Sequence, residues 1–204
     1  MNMPAIFIGI TGGSGSGKTT FCALLAKNFS DYKVKVIHID SYYHKDVKKT
    51  KAPYTQNVYH DYIHPGSIDF KRLLKDLNLF KKSNNFDIVI VEGLLIFHTE
   101  EMRNLFDLKI YIDVEADERL ARIFRRNMKM GMAFGDISDY YLESARYRHN
   151  EYIEPSRWHA DIVINGTRFS NTAVNMIHKW VESCICEQRI NTFTNIDLEN
   201  ADCP

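Results

Sequence analysis

The sequence predicts an α/β fold, a parallel β-sheet of about five strands flanked by helices, and three observations carry that prediction. Five short runs are rich in Val and Ile, and four of them are almost continuously apolar. Runs of that kind suit strands buried on both faces, as in parallel sheets. Helical patterns separate the runs, which is the signature of βαβ units. A glycine-rich turn joins the first run to the first helical pattern.

Taken in order, AIFIGI (5–10) is the first strand and leads through GGSGSGKT into a helix expected over 18–30. VKVIHI (34–39) is the second strand and ends at Asp40. Residues 42–65, YYHKDVKKTKAPYTQNVYHDYIHP, are polar and aromatic without a period. A loop that long inside a compact domain is either functional or disordered. A helix over 68–82 precedes the strand FDIVIVEG (86–93), and LKIYID (108–113) follows as the fourth strand. Helices are expected over 115–131 and 137–153, then a strand at ADIVIN (160–165) and a helix over 170–187. Residues 188–204 show no pattern and read as a poorly ordered tail, so residues 1–187 are expected to form one domain.

Composition narrows the function. Lys plus Arg equals Asp plus Glu at 26 each among 204 residues, so there is no overall charge to favour nucleic acid or an anionic membrane. The apolar runs fall short of the ~18 residues a spanning helix needs, and the N-terminus lacks the basic and small-residue marks of a signal peptide. Cys22, Cys184, Cys186 and Cys203 have no partner spacing suited to zinc. These features point to a reduced, cytoplasmic protein.

Residues 12–19 fit G-x-x-x-x-G-K-[ST] between a predicted strand and a predicted helix, the context that gives this motif meaning. Gly12, Gly13, Ser14, Gly15, Ser16 and Gly17 would turn their backbone N–H groups around a phosphate. The helix N-terminus at Lys18, Thr19 and Thr20 would add its dipole. In a P-loop NTPase fold Lys18 reaches the β/γ-phosphates and Thr19 holds Mg²⁺. The N-K-x-D guanine reader of a switch GTPase is missing from the sequence. Asp40 and Glu92 close the second and third strands, at the sheet edge where such folds bind ligands. Each is read either as a turn residue or as chemistry: Asp40 as a general base, Glu92 as an organiser of Mg²⁺. In ADERLARIFRRNMKMG, Arg119, Arg122 and Arg126 share a helix face, with Leu120, Ile123 and Phe124 expected on the opposite, apolar one.

The segments GITGGSGSGKTT, IDSYY, HPGSID, VIVEGLL, DLKIYIDVEADERLARIFRRN and EYIEPSRWHADIVING follow one another in that order. Together they resemble the uridine kinase/phosphoribulokinase superfamily over residues 7–166. The resemblance implies transfer of the γ-phosphoryl of ATP (or GTP) to the 5′-hydroxyl of a ribonucleoside, uridine or cytidine first, with Asp40 as the base. It implies a lid near 115–135, with Arg119 at the nucleotide and Arg122 and Arg126 closing on the phosphates. The expected partner is a nucleoside or similar small molecule, with neither nucleic acid nor membrane; a homo-oligomer is left open.

Three positions depart from the family pattern. Ile63 stands where the family has an aspartate before the His-Pro pair, here His64-Pro65. Asp61 is the nearest acid and the expected substitute at the ribose hydroxyls, with Tyr43 and His64 as further acceptor contacts. Only KKSNNF separates the helix at 68–82 from the next strand, so the hairpin that reads the base in many relatives is expected to be absent. Met130 and Met132 replace the arginines that flank the lid's end glycine. The alternatives are a related kinase for nicotinamide riboside, pantothenate or a sugar phosphate, and a non-catalytic nucleotide-binding protein.

Overall fold

The computed structural model describes the backbone of residues 4–83 and 85–201, and the side chains of these residues up to 187. Five parallel strands form one sheet in the order β2-β5-β1-β6-β7: β1 Ile6–Gly12, β2 Val34–His38, β5 Ile88–Glu92, β6 Leu108–Asp113 and β7 Ile162–Asn165. Every residue of β1 and β5 is buried, which explains why those runs are apolar without alternation. One face of the sheet packs Phe7, Val89 and Val91 against Leu73 and Leu77 of α2 (Phe70–Lys82). The other face packs Ile8, Ile10 and Ile90 against Phe21 and Leu25 of α1 (Lys18–Asn28) and Val174, Ile177 and Val181 of α7 (Asn171–Ala201).

Register places the chemistry. Ile10 and His38 both pair with Glu92, so β2 and β5 end at the same level of the sheet and β1 runs two residues further, to Gly12. The loops that follow them therefore share one edge, with the glycine turn leaving β1 and Asp40 leaving β2.

Two expectations need correcting. The long loop contains an antiparallel hairpin, β3 Lys49–Lys51 and β4 Val58–His60, joined by residues 52–57. A hairpin is therefore present, between β2 and α2 rather than between α2 and β5. Three-residue strands are too short to show a period in the sequence. The helix expected over 137–153 begins at α5 (Phe134–Tyr140) and continues through α6 (Arg146–Arg148), with wide i→i+5 turns at Tyr141–Ala145 and His149–Ile153. Such turns insert a residue into the helical repeat, so a 3.6-residue pattern misassigns the faces beyond them. The segment expected to act as a lid holds α4 (Ala116–Lys129), after α3 (Glu100–Arg103). At the C-terminus the backbone of α7 continues into the expected tail; the side chains from residue 188 on, and Cys203 altogether, lie outside the described residues.

Candidate active site

The glycine turn is built by backbone conformations that side chains resist. Gly12 has φ +144°, and a Cβ there would lie 2.4 Å from the Ile112 carbonyl oxygen. Gly15, at φ +79°, would put a Cβ 2.6 Å from the Arg119 carbonyl oxygen, so the loop rests directly on α4. Gly17 caps α1 without a side-chain hydrogen bond, leaving the first N–H groups of the helix directed at the loop.

Lys18 is buried, and its Nζ donates to the Gly13 carbonyl at 3.0 Å. Burial pulls its pKa down to about 8, against the opposing pull of Glu92 and Asp40. Thr19 Oγ1 donates to Glu92 Oε1 at 3.2 Å, and His38 Nδ1 lies 2.6 Å from the same oxygen. The side chain of Asp40 opens into the cavity, yet the surrounding walls and the charge of Glu92 raise its pKa above the ordinary carboxylate range.

A cavity of about 1200 Å³ joins these groups. It is lined by Ser14, Gly15, Gly17, Lys18, Thr19 and Thr20 from the turn, by Asp40, Tyr43 and Glu92, and by Arg122 and Arg126 of α4. Tyr59 and His60 of β4, Tyr62 and Ile63 line it from the long loop 42–65, whereas Asp136, Asp139, Tyr140 and Phe169 carried no signal in the sequence. They belong to segments distant in the chain, and only folding assembles them.

Other expected site residues stand elsewhere. Arg119 is buried behind the turn, with Nε donating to the Val114 carbonyl at 3.1 Å and a terminal nitrogen 3.3 Å from His149 Nε2. Burial, reinforced by the Arg119 charge, pushes the His149 pKa down to about 4, so the ring is neutral at pH 7. Ile123 does not join the opposite face; it lines the cavity beside Arg122 and Arg126. Residues 119, 122, 123 and 126 all lie on one side of a 3.6-residue helix. Asp61 is fully buried, and its carboxylate accepts from Thr50 Oγ1 at 2.9 Å, Ile63 N at 3.2 Å and Arg148 Nε at 2.7 Å. Fully buried and outside the cavity lining, an acid held by three internal donors ties the base of the hairpin together rather than facing an acceptor's hydroxyls. His64 turns its Nδ1 to the Gly66 N–H at 2.9 Å and also lies outside the cavity lining. Arg148 and His149 are engaged by Asp61 and Arg119.

Comparison with known proteins decides the family. The profile of the Phosphoribulokinase / Uridine kinase family matches residues 7–88 and 80–173. The chain belongs to this family. It is an ATP-dependent kinase whose phosphoryl acceptor is a hydroxyl group. A uridine kinase of Clostridium novyi is 31% identical over 210 residues, spanning 92% of this chain and 100% of the relative. A uridine kinase of Clostridium tetani is 34% identical over 200 residues, spanning 87% and 94%. Among solved structures, a candidate fructose transport system kinase from Silicibacter sp. TM1040 superposes with a TM-score of 0.58 over 78% of this chain and 89% of that one. At 15% identity that likeness speaks for the fold alone. Among the described residues no helix of the kinase is long and apolar enough to cross a membrane.

Proposed function

We propose that this kinase transfers the γ-phosphoryl of ATP, or GTP, to the 5′-hydroxyl of a ribonucleoside, uridine or cytidine first, in a Mg²⁺-dependent reaction. The observation that carries this reading is the continuity of one cavity from Lys18 and Thr19, past Asp40, to the rings of Tyr43, Tyr59 and Tyr62. Uridine kinases among the relatives support the nucleoside.

In this reading the backbone of residues 12–17 cradles the phosphates, and Lys18 neutralises charge on the group in transfer. Asp40 takes the proton of the attacking hydroxyl, and its raised pKa moves it closer to the working pH of a general base. Arg122 and Arg126, on a lid near 115–135, add positive charge and exclude water on closing. Thr19 Oγ1 and the Glu92 carboxylate form the oxygen pair a hard cation takes. No cluster of three or more His, Cys, Asp or Glu side chains suited to a metal stands among the described residues. Mg²⁺ bound through one or two side chains and substrate phosphates requires no such cluster, and when bound it would stabilise the phosphate oxygens. The hairpin and its tyrosines form the wall for the base, where stacking contributes about 1–3 kcal/mol.

One observation favours a different alcohol. Ile63 lines the cavity in place of an acid, and Asp61 is committed elsewhere. A release assay for ADP, run over nucleosides, nicotinamide riboside, pantothenate and ribulose 5-phosphate, separates the two readings. Turnover confined to the non-nucleosides would overturn the nucleoside reading, and no turnover with any acceptor would favour a nucleotide-binding protein without catalysis.

A further inference from the structure

A ribbon of two three-residue strands is marginal on its own in water, so something outside β3 and β4 must hold it against the cavity. The structure provides a single carboxylate oxygen. Glu143 Oε2, on the first wide turn of the helical segment, accepts from Thr55 Oγ1 at 2.7 Å, Asn57 Nδ2 at 3.0 Å and Tyr59 OH at 2.7 Å. Those donors span the hairpin's connecting loop and its returning strand, and they lie 84 to 88 residues from Glu143 in the chain.

The loop backbone is bent to meet that oxygen. Gln56, between Thr55 and Asn57, has φ 62°, the one left-handed non-glycine among the described residues. A side-chain-bearing residue adopts that conformation only where its surroundings impose it. The Ala52 N–H closes the loop on the Asn57 carbonyl at 2.8 Å. Tyr59 then stands with its hydroxyl on Glu143, its ring 5.7 Å from that of Tyr140, and its side on the cavity. Five residues on, across the wide turn, Arg148 grips the base of the same hairpin through Asp61. An i→i+5 turn brings residues of that spacing toward a common face, which a regular α-helix would not.

We propose that Glu143 is a positioning residue for the acceptor: a latch that fixes the hairpin, and through it the Tyr59 ring, over the acceptor end of the cavity. The proposal rests on the acceptor lying against the hairpin, as in the proposed function. Because the latch occupies the Tyr59 hydroxyl, Tyr59 presents a ring rather than a donor to the ligand. It therefore discriminates flat rings from non-planar acceptors better than one nucleobase from another.

The test measures two quantities in Glu143→Ala, Glu143→Gln and Tyr59→Phe. Amide exchange over residues 52–59 requires no acceptor and should quicken about 10-fold in Glu143→Ala, while the amides of β1 stay unchanged. The acceptor KM should rise about 10-fold or more in the same variant, with KM for ATP held within about two-fold. Glu143→Gln keeps an accepting oxygen and should recover most of both effects. Tyr59→Phe leaves the helix intact and should show a smaller rise, absent when combined with Glu143→Ala. Unchanged exchange at 52–59, or faster exchange with an unaltered acceptor KM, would overturn the latch. A parent enzyme that phosphorylates no nucleoside would overturn the functional reading instead, and the exchange measurement would still judge the latch.

Discussion

The two ends of the cavity are built in opposite ways. At the phosphate end, contiguous residues make the site from backbone: Gly12 and Gly15 at positive φ, an uncapped helix N-terminus, and Lys18 resting on the Gly13 carbonyl. At the acceptor end, side chains from distant segments do the work. Asp61, Thr50 and Arg148 fasten the base of the hairpin, Glu143 fastens its tip, and the intervening loop is exposed. Backbone geometry fixed by local sequence survives most changes elsewhere, whereas a wall held by side chains depends on each fastening.

Breaking the chemistry between the two ends should have the largest effect. Asp40→Asn keeps the shape and loses the proton acceptor, so kcat should fall by roughly 10²–10⁴-fold with nucleotide affinity little changed. In the parent, burial and Glu92 raise the Asp40 pKa, so the acid limb of kcat/KM should lie above the usual carboxylate range. The limb should vanish in the variant, and a parallel loss of ATP affinity would make Asp40 a structural or metal residue instead.

The phosphate end should separate activity from stability. Lys18→Met should reduce turnover by about 10²-fold or more, since a charge that follows the transferring phosphoryl is gone. The same change should stabilise the nucleotide-free protein at neutral pH. Below pH 8 Lys18 is charged in both folded and unfolded chains, and its buried charge costs the fold up to about 3 kcal/mol. As pH rises from about 8 toward the ordinary lysine value of 10.5, the folded lysine loses its proton first, and that cost disappears. Thermal melting at pH 7 and above pH 10 should therefore show a gain for Lys18→Met that shrinks with pH; a destabilised variant at pH 7 would contradict the burial argument.

The acceptor end should behave the other way. Arg148→Met leaves the Asp61 carboxylate buried with only Thr50 and the Ile63 N–H, and loss of a buried charge partner costs about 3–5 kcal/mol. The partial exposure of Arg148 argues for the lower end of that range. Denaturant unfolding measures it, and a change below about 1 kcal/mol would reduce the pair to a surface contact.

The smallest effect sharpens the comparison at α4. Arg122 already donates to the carbonyls of Gly15, Ser16 and Gly166, whereas among the described residues Arg126 donates only to its neighbour Asn127 and faces the cavity. Arg126→Ala should therefore lower kcat by about 10-fold with little loss of stability, and Arg122→Ala should lower both. Equal kinetic and thermal profiles for the two variants would remove the distinction.

The same contrast explains what could be read from the sequence. The five sheet strands, the phosphate turn and the positions of Lys18, Thr19, Asp40 and Glu92 follow from local pattern, because each is set by neighbours in the chain. The hairpin was illegible because its strands are three residues long and its fastenings lie more than 80 residues away. Asp61 illustrates the limit: as an acid near His64-Pro65 it reads as a ligand for hydroxyls, and only the approach of Arg148 turns it inward. Arg119 and Ile123 were misplaced for a simpler reason, since the helix face they share is covered by the turn at one end and open at the other.

The wide turns in the helical segment also bear on how such an enzyme changes over generations. Residues 49–60 are fastened to the helical segment by Glu143, by ring contacts of Tyr54 with Tyr147 and Tyr59 with Tyr140, and, through Asp61, by Arg148, and the phosphate end supplies none of those fastenings. A new acceptor could thus be acquired by exchanging twelve residues together with one or two helix positions, with no substitution in β1, α1 or the glycine turn. Deleting a single residue within 141–145 would do the reverse: it would rotate every later helix position by about 100°. Arg148 would swing away from Asp61, disconnecting the hairpin while leaving its sequence untouched. Lineages of this kinase should therefore tolerate substitutions in the hairpin more readily than length changes in the helix beside it.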